Sequence, residues 1–171
     1  MGETADWPDM IFQSLRTARV GHMSYVPDAG HARLIELFHA DPDMMVNVLT
    51  TEEEGVAIAA GVWLGGQRSV VLMQSSGVGN CINMLSLPAI ARLPLLMLVT
   101  MRGEWAEFNP WQVPMSEATE PSLRAIGVRT MRADTATDAV EIVPSAAALA
   151  YEADGRVAVL LGQRLLGRKV W

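Results

Sequence analysis

Two apolar runs, 45–49 and 69–74, each feed directly into a small-residue turn and then a helix-forming segment, and this repeat limits the fold more than any other feature. The first run leads into Thr51-Glu52-Glu53-Glu54-Gly55-Val56-Ala57-Ile58-Ala59-Ala60-Gly61, which puts carboxylates at the head of an Ala- and Gly-rich apolar helix. The second leads into Gln74-Ser75-Ser76-Gly77-Val78-Gly79-Asn80, again opening a helix. A chain that runs strand, helix, strand in this way is driven to parallel pairing with right-handed crossovers, because only then does each helix return over the sheet. Two such turns in successive units imply one crevice at the carboxyl ends of the strands, where open α/β sheets bind ligands.

The same alternation extends along the chain. Helices are expected over 7–20, with Pro8 tolerated in the first turn, and over 30–39, ended by Asp41-Pro42. Others follow over 52–64, stopped by Gly65-Gly66, over 78–91 and 117–126, and from a Thr135 cap to 152. Strands are expected over 22–26, 45–49, 69–74, 95–100, 128–131 and 157–161, the last after an Asp154-Gly155 turn. The expected fold class is α/β: one three-layer doubly wound domain over 1–171, with a six-stranded mostly parallel sheet and helices on both faces. A long loop over 101–115 holds Trp105, Phe108, Pro110, Trp111 and Pro114, and loops of that length inside a compact domain are usually functional.

Composition narrows the function classes. Half of the 171 residues are hydrophobic and the mean hydropathy is +0.21. That excess fits a large subunit interface, with Ala- and Val-rich helices as the plainer alternative. The formal net charge is -6 and no basic run is longer than Arg168-Lys169, which argues against nucleic acid. Apolar runs such as 93–99 are far too short to span a membrane. The start, Met1-Gly2-Glu3-Thr4-Ala5-Asp6, is acidic and lacks the basic and apolar regions of a signal peptide, so a cytoplasmic location is expected. Cys81 is the sole cysteine, which excludes an intramolecular disulfide and a cysteine-based zinc site; among its apolar neighbours it reads as buried packing.

Several side chains are placed for chemistry. A carboxylate at a strand-to-helix junction, such as Glu52, is costly to bury unless something uses it. Alternatively the three Glu residues form a charge cluster that the helix dipole stabilises by about 0.3–1 kcal/mol each. Gly77 and Gly79 permit close backbone approach, and Gln74, Ser75 and Ser76 could hold a carboxylate. The segment is not a dinucleotide fingerprint, since G-x-G-x-x-G is absent, and it could instead be a tight turn at a subunit interface. Arg102, at the end of the 95–100 strand, could neutralise an anionic substrate through paired hydrogen bonds, or form a surface ion pair with Glu104 or Glu107. Trp105, Phe108 and Trp111 could form a water-excluding lid or an interface. His22 and His39 carry no motif and read as structural.

Five motifs stand in order along most of the chain: Val26-Pro27-Asp28, Glu52-Glu53-Glu54-Gly55 with Ala59-Ala60-Gly61, Gln74 through Asn80, Arg102-Gly103-Glu104, and Gln112-Val113-Pro114-Met115. By these the chain resembles the pyrimidine-binding domain of thiamine-diphosphate enzymes. Within that group it is similar to the alpha subunits of sulfopyruvate decarboxylase, with phosphonopyruvate decarboxylase related. The resemblance implies that Glu52, nine residues before Gly61, hydrogen-bonds N1′ of the aminopyrimidine and serves a proton relay, leaving Glu53 and Glu54 as first-turn carboxylates. It implies that the Gln74–Asn80 segment lines the pocket, with Gly77, Gly79 and Asn80 against the cofactor and Gln74, Ser75 and Ser76 toward the substrate; Arg102 and His31 are candidate substrate-binding residues by their own chemistry. Relatives often carry Asp-Ser after the proline, whereas here Asp28 is followed by Ala29-Gly30-His31. His31 could bind a sulfonate or donate a proton; equally it could be a solvated helix residue.

Members of the group hold the diphosphate through Mg²⁺ on a second domain that carries Gly-Asp-Gly and, further on, an Asn-containing turn. No Gly-Asp-Gly occurs in this sequence, and Ala153-Asp154-Gly155 stands too near the end. The resemblance therefore implies a hetero-oligomer in which a beta subunit supplies the diphosphate and Mg²⁺ sites, with no metal ligand in this chain. The implied substrate is a small anionic 2-oxo acid: sulfopyruvate first, phosphonopyruvate or another 2-oxo acid as alternatives. Two rivals are a non-catalytic scaffold subunit and a flavodoxin-like module, the latter disfavoured by a short 27–30 loop poor in Ser and Thr.

Overall fold

The computed structural model describes residues 6–168; residues 1–5, on which the leader expectation rests, and Lys169 of the basic pair lie outside the described residues. The strands are β1 (Val20–Tyr25), β2 (Met45–Val48), β3 (Arg68–Gln74), β4 (Leu95–Thr100), β5 (Arg129–Ala133) and β6 (Arg156–Leu161). They form one sheet in the order β2-β1-β3-β4-β6-β5, and every pairing is parallel. The helices are α1 (Trp7–Thr17), α2 (Ala32–Ala40), α3 (Glu52–Leu64), α4 (Ser75–Cys81), α5 (Ser86–Ala91), α6 (Val113–Ala125), α7 (Ala136–Tyr151) and α8 (Gln163–Leu166).

Side chains alternate across a strand, so a strand covered on both faces must be apolar at every position. β4 is the clearest case. Leu96 and Leu98 join the core formed with Ile11 and Leu15 of α1, Phe38 of α2 and Val143 of α7. Leu95, Met97 and Val99 join the opposite core with Val56 of α3, Val78 of α4 and Leu123 of α6. Three layers result, as expected for a doubly wound domain.

From β1 the chain moves outward to β2, then returns on the other side of β1 to build β3. The crevice that such a reversal leaves lies between the carboxyl ends of β1 and β3. α3 and α4, the helices that follow β2 and β3, overlook it.

Several boundaries differ from expectation for identifiable reasons. The expected 78–91 helix is two helices, with α4 beginning at Ser75 and a break over 82–85. Pro88 cannot donate to the carbonyl of Met84 and its ring would crowd that group. Instead Ser86 and Leu87 close tight turns onto the carbonyls of Asn83 and Met84 at 3.1 and 3.0 Å, and Pro88 falls in the first turn of α5. The 101–115 loop also ends early: a 3₁₀ turn at Pro110–Gln112 runs into α6, whose first turn accepts Pro114. α1 stops at Thr17 because Arg19 takes a left-handed conformation (φ 59°) and β1 begins at Val20, ahead of the expected 22. The short α8 was not expected.

Candidate active site

Thr51, extended, stands before α3 without a side-chain capping bond, its hydroxyl donating to the Glu53 carboxylate, and Glu52 is the helix's first residue. Its side chain lies across Gly77 of α4: a Cβ there would stand 2.3 Å from both Cδ and Oε1 of Glu52, so only glycine leaves room. Asn80, one turn further along α4, donates from Nδ2 to Glu52 Oε2 at 2.8 Å. Glu52 is 8% exposed, and among the described residues it meets no cation and Oε1 accepts no hydrogen bond. A carboxylate so nearly buried with one acceptor oxygen unused can accept a further hydrogen bond from an external donor. Gly79 is exposed, and a Cβ there would make only ordinary contact with Met115 Sδ at 3.4 Å, so the chain's own packing does not demand glycine. Cys81, behind the carboxylates, is buried; burial first, then the charges of Glu52 and Glu53, push its thiol up to about 12.

A second polar cluster spans the crevice. Asp28, just past β1, accepts from Gln74 Nε2 at 2.9 Å on one oxygen, and from Gly30 N at 3.0 Å and Thr100 Oγ1 at 2.8 Å on the other. Gln74 Oε1 in turn accepts from Ser76 Oγ at 2.8 Å and Gln112 Nε2 at 3.1 Å. These bonds tie the ends of β1, β3 and β4 to the turn before α6. Gln112 Oε1 is buried and, among the described residues, has no partner. His31 is 1% exposed, with Nε2 3.3 Å from the Met73 carbonyl, so it is not a solvated helix residue.

Ser75 and Arg102 act from behind. Ser75 is fully buried, and its Oγ accepts from the Arg102 backbone N–H at 3.1 Å. The Arg102 guanidinium makes paired bonds to Glu107, Nε to Oε2 at 2.8 Å and Nη2 to Oε1 at 2.6 Å, and stands 5.5 Å over the Phe108 ring. Glu107 also accepts from Gly103 N (3.1 Å), Asn109 N (3.0 Å) and Gln163 Nε2 (3.0 Å). The bond from Arg102 is the main cause that holds the Glu107 carboxyl down to about 2; burial opposes it and the other donors add to it. This pair is buried, unlike the surface pair considered above, while Glu104 bonds Arg132 instead. Trp105, Phe108 and Trp111 are exposed beside it.

α4 thus joins the two clusters, with Gln74 and Ser76 at its head and Gly77 and Asn80 along its body beside Glu52. Asp28 and Gln112 appear in the sequence only as motif members without a role, Glu107 only as an alternative ion-pair partner of Arg102, and Thr100 and Gln163 gave no signal. Asp28 was the most accessible of these: a carboxylate at a strand end, two residues before Gly30, is the pattern of an Asx turn. Among the described residues, no three His, Cys, Asp or Glu side chains converge as metal ligands, and no helix is long and apolar enough to cross a membrane.

No protein-family profile matches the chain. The alpha subunit of sulfopyruvate decarboxylase from Methanothermobacter thermautotrophicus is 32% identical over 157 residues, covering 91% of this chain and 95% of that subunit. The chain belongs to the sulfopyruvate decarboxylase alpha-subunit family. A phosphonopyruvate decarboxylase from Streptomyces viridochromogenes is 40% identical over 83 residues, 48% of this chain but only 21% of the larger enzyme. Among solved structures, 2-oxoglutarate:ferredoxin oxidoreductase from Magnetococcus marinus superposes with a TM-score of 0.76 over 95% of this chain and 29% of its own. At 14% identity that likeness concerns the fold.

Proposed function

We propose that this chain is the alpha subunit of a two-subunit, thiamine-diphosphate-dependent decarboxylase that converts sulfopyruvate and a proton into sulfoacetaldehyde and CO₂. The observation that carries the reading is Glu52, nearly buried, held by Asn80 on one oxygen and open on the other. That donor set fits the aminopyrimidine of thiamine, whose ring nitrogen could share a proton with the open oxygen. When bound, thiamine diphosphate supplies a thiazolium that stores the electrons released with CO₂.

The chain's own residues do the rest. Gly77 gives the Glu52 side chain its berth and Asn80 fixes its rotation, so the shared proton is held at one oxygen. Exposed Gly79 lets the ring approach α4 without a side chain in the way. Gln74, Ser76 and the unpartnered carbonyl of Gln112 offer polar atoms to the substrate, with His31 against the Met73 carbonyl behind them. Ser75 and Arg102 serve by fixing the start of α4. Arg102, already neutralised by Glu107, positions the loop and contributes little free charge.

The diphosphate and Mg²⁺ belong, on this reading, to a beta subunit. The exposed apolar side chains support such a partner. Ile90 of α5 is 84% exposed and Trp111 83%, and Leu64 of α3 and Leu87 of α5 are also exposed. Leu64, Leu87 and Ile90 stand on α3 and α5, with Trp111 in the turn before α6, and a second chain over Glu52 would also exclude water from the reaction. A cytoplasmic location accords with this assembly.

Phosphonopyruvate is the second reading, supported by the similarity to a phosphonopyruvate decarboxylase over the half of this chain that aligns. The test is CO₂ release by the chain co-purified with its candidate beta subunit, Mg²⁺ and thiamine diphosphate, with each acid in turn. Turnover on sulfopyruvate that neither chain supports alone is expected. Preference for phosphonopyruvate would reassign the substrate, and a stable complex inert on every 2-oxo acid would favour the scaffold.

A further inference from the structure

The opposite end of the sheet, where the strands begin, carries a feature that the proposed decarboxylation does not use. Arg129 opens β5 and Arg156 opens β6, and Arg129 stands in register with Val157, the residue after Arg156. The two strand starts are neighbours, roughly 5 Å apart, and because Arg156 precedes Val157 its side chain leaves the opposite face of the sheet from that of Arg129. Both arginines line a cavity of about 220 Å³ whose other walls include Gly127, Leu149, Gly155 and Val157, and no carboxylate lines it.

Among the other described arginines, exposed Arg19, Arg92, Arg164 and Arg168 have no ion pair, and six are matched. Arg16, Arg33, Arg68, Arg102, Arg124 and Arg132 each meet an Asp or Glu. Among the described residues, the side chains of exposed Arg129 and half-buried Arg156 make no ion pair or hydrogen bond, and Arg156 Nε is buried without an acceptor. A buried donor left unmade is costly, and an acceptor entering the cavity would remove that cost.

Helix capping does not account for the pair. α6 and α7 both end here, and their negative ends favour cations nearby. Several of their last carbonyls, however, are already satisfied by backbone donors. Gly127 N and Val128 N bond Arg124 O and Leu123 O at 3.0 and 2.9 Å, and Gly155 N bonds Leu149 O and Ala150 O at 3.1 and 3.0 Å. The guanidinium donors remain available to the cavity. Its volume is below the several hundred Å³ typical of cofactor-sized ligands, and two planar forks suit an oxyanion that accepts paired bonds.

We propose that this strand-start cavity is a second site, separate from the crevice, that binds a small tetrahedral oxyanion of the phosphate or sulfonate kind between Arg129 and Arg156. The test is calorimetric titration of the full-length chain with inorganic phosphate and, separately, with methanesulfonate, at ionic strength held constant with NaCl. Arg129→Gln, Arg156→Gln and Arg92→Gln variants are titrated alongside. Arg92 lies near the start of β4, has no carboxylate partner among the described residues and does not line the cavity. Saturable binding of either anion is expected, weakened about tenfold or more by each of the first two substitutions and unchanged by the third. The anion that binds more tightly identifies the source of the group. Failure of both anions to saturate, or equal weakening in the Arg92 variant, would overturn the proposal in favour of a diffuse surface field.

Discussion

Glu52 and Glu107 are both carboxylates nearly out of solvent at the carboxyl end of the sheet, yet their surroundings are opposite. Glu107 accepts two bonds from Arg102 and one each from Gly103, Asn109 and Gln163. Glu52 accepts one, from Asn80, and has no cation beside it. A fully satisfied buried ion pair fixes structure, because removing either partner strands a charge. An under-satisfied carboxylate is a liability that persists where a ligand or partner completes it. By this contrast the Arg102–Glu107 pair pins the 101–112 segment to α8, and Glu52 is the group that the proposed function assigns to chemistry.

Substitutions that act on one side only can break the comparison. The largest expected effect is on the structural side: Glu107→Ala should cost about 3–5 kcal/mol, read as a lowered denaturant midpoint, because it leaves Arg102 buried and unpaired. A loss under 1 kcal/mol would place the pair effectively at the surface. Next comes Gly77→Ala, which puts a methyl 2.3 Å from the Glu52 carboxyl and displaces it. Turnover of the assembled enzyme should fall about 100-fold, as for catalytic groups moved by roughly an ångström. Unchanged turnover would show that the Glu52 rotamer is not functional.

Acid should sharpen the contrast more gently. Glu107 is held down to about 2, below its unfolded value of roughly 4.3. Its contribution is therefore fully present above the unfolded value and is lost as pH falls through the folded one. Stability measured from pH 5 to pH 2 should decline less in Glu107→Gln than in the unsubstituted chain; parallel curves would contradict the assignment. The smallest effect is Asn80→Ala, which removes one bond to a carboxylate at an exposed position. It should lower turnover by about tenfold and change stability by less than about 1 kcal/mol. A larger loss of stability than of turnover would make Asn80 a structural residue.

How much of this could be read from sequence depends on how local each cause is. The bounds of α3 and β4 were legible because an Ala- and Gly-rich run ended by a Gly65-Gly66 stop and an unbroken apolar run are signals within the segment itself. Glu52 with Gly77 and Asn80 was legible through ordered motifs, although the berth at Gly77 needs two helices at once. Arg102 was ambiguous because its choice between substrate and Glu107 depends on Gln163, sixty-one residues later, completing the second carboxylate. Asp28 was legible as a local turn carboxylate, but its place in the cluster was hidden for the same reason, since Gln74 and Thr100 come to it from two other strands. The α4–α5 break could have been read from Pro88, whose missing donor is a local property.

The most direct measurement is Glu52→Gln in the chain assembled with its beta subunit, with turnover and thermal midpoint recorded on the same sample. Glutamine keeps the shape and the bond from Asn80 but cannot hold or pass the proton. The expected result is a turnover lower by a factor of about 100 to 10,000 with the midpoint unchanged or raised. Turnover preserved, or lost only together with the fold, would contradict the assignment of Glu52 to chemistry and make it a structural carboxylate like Glu107.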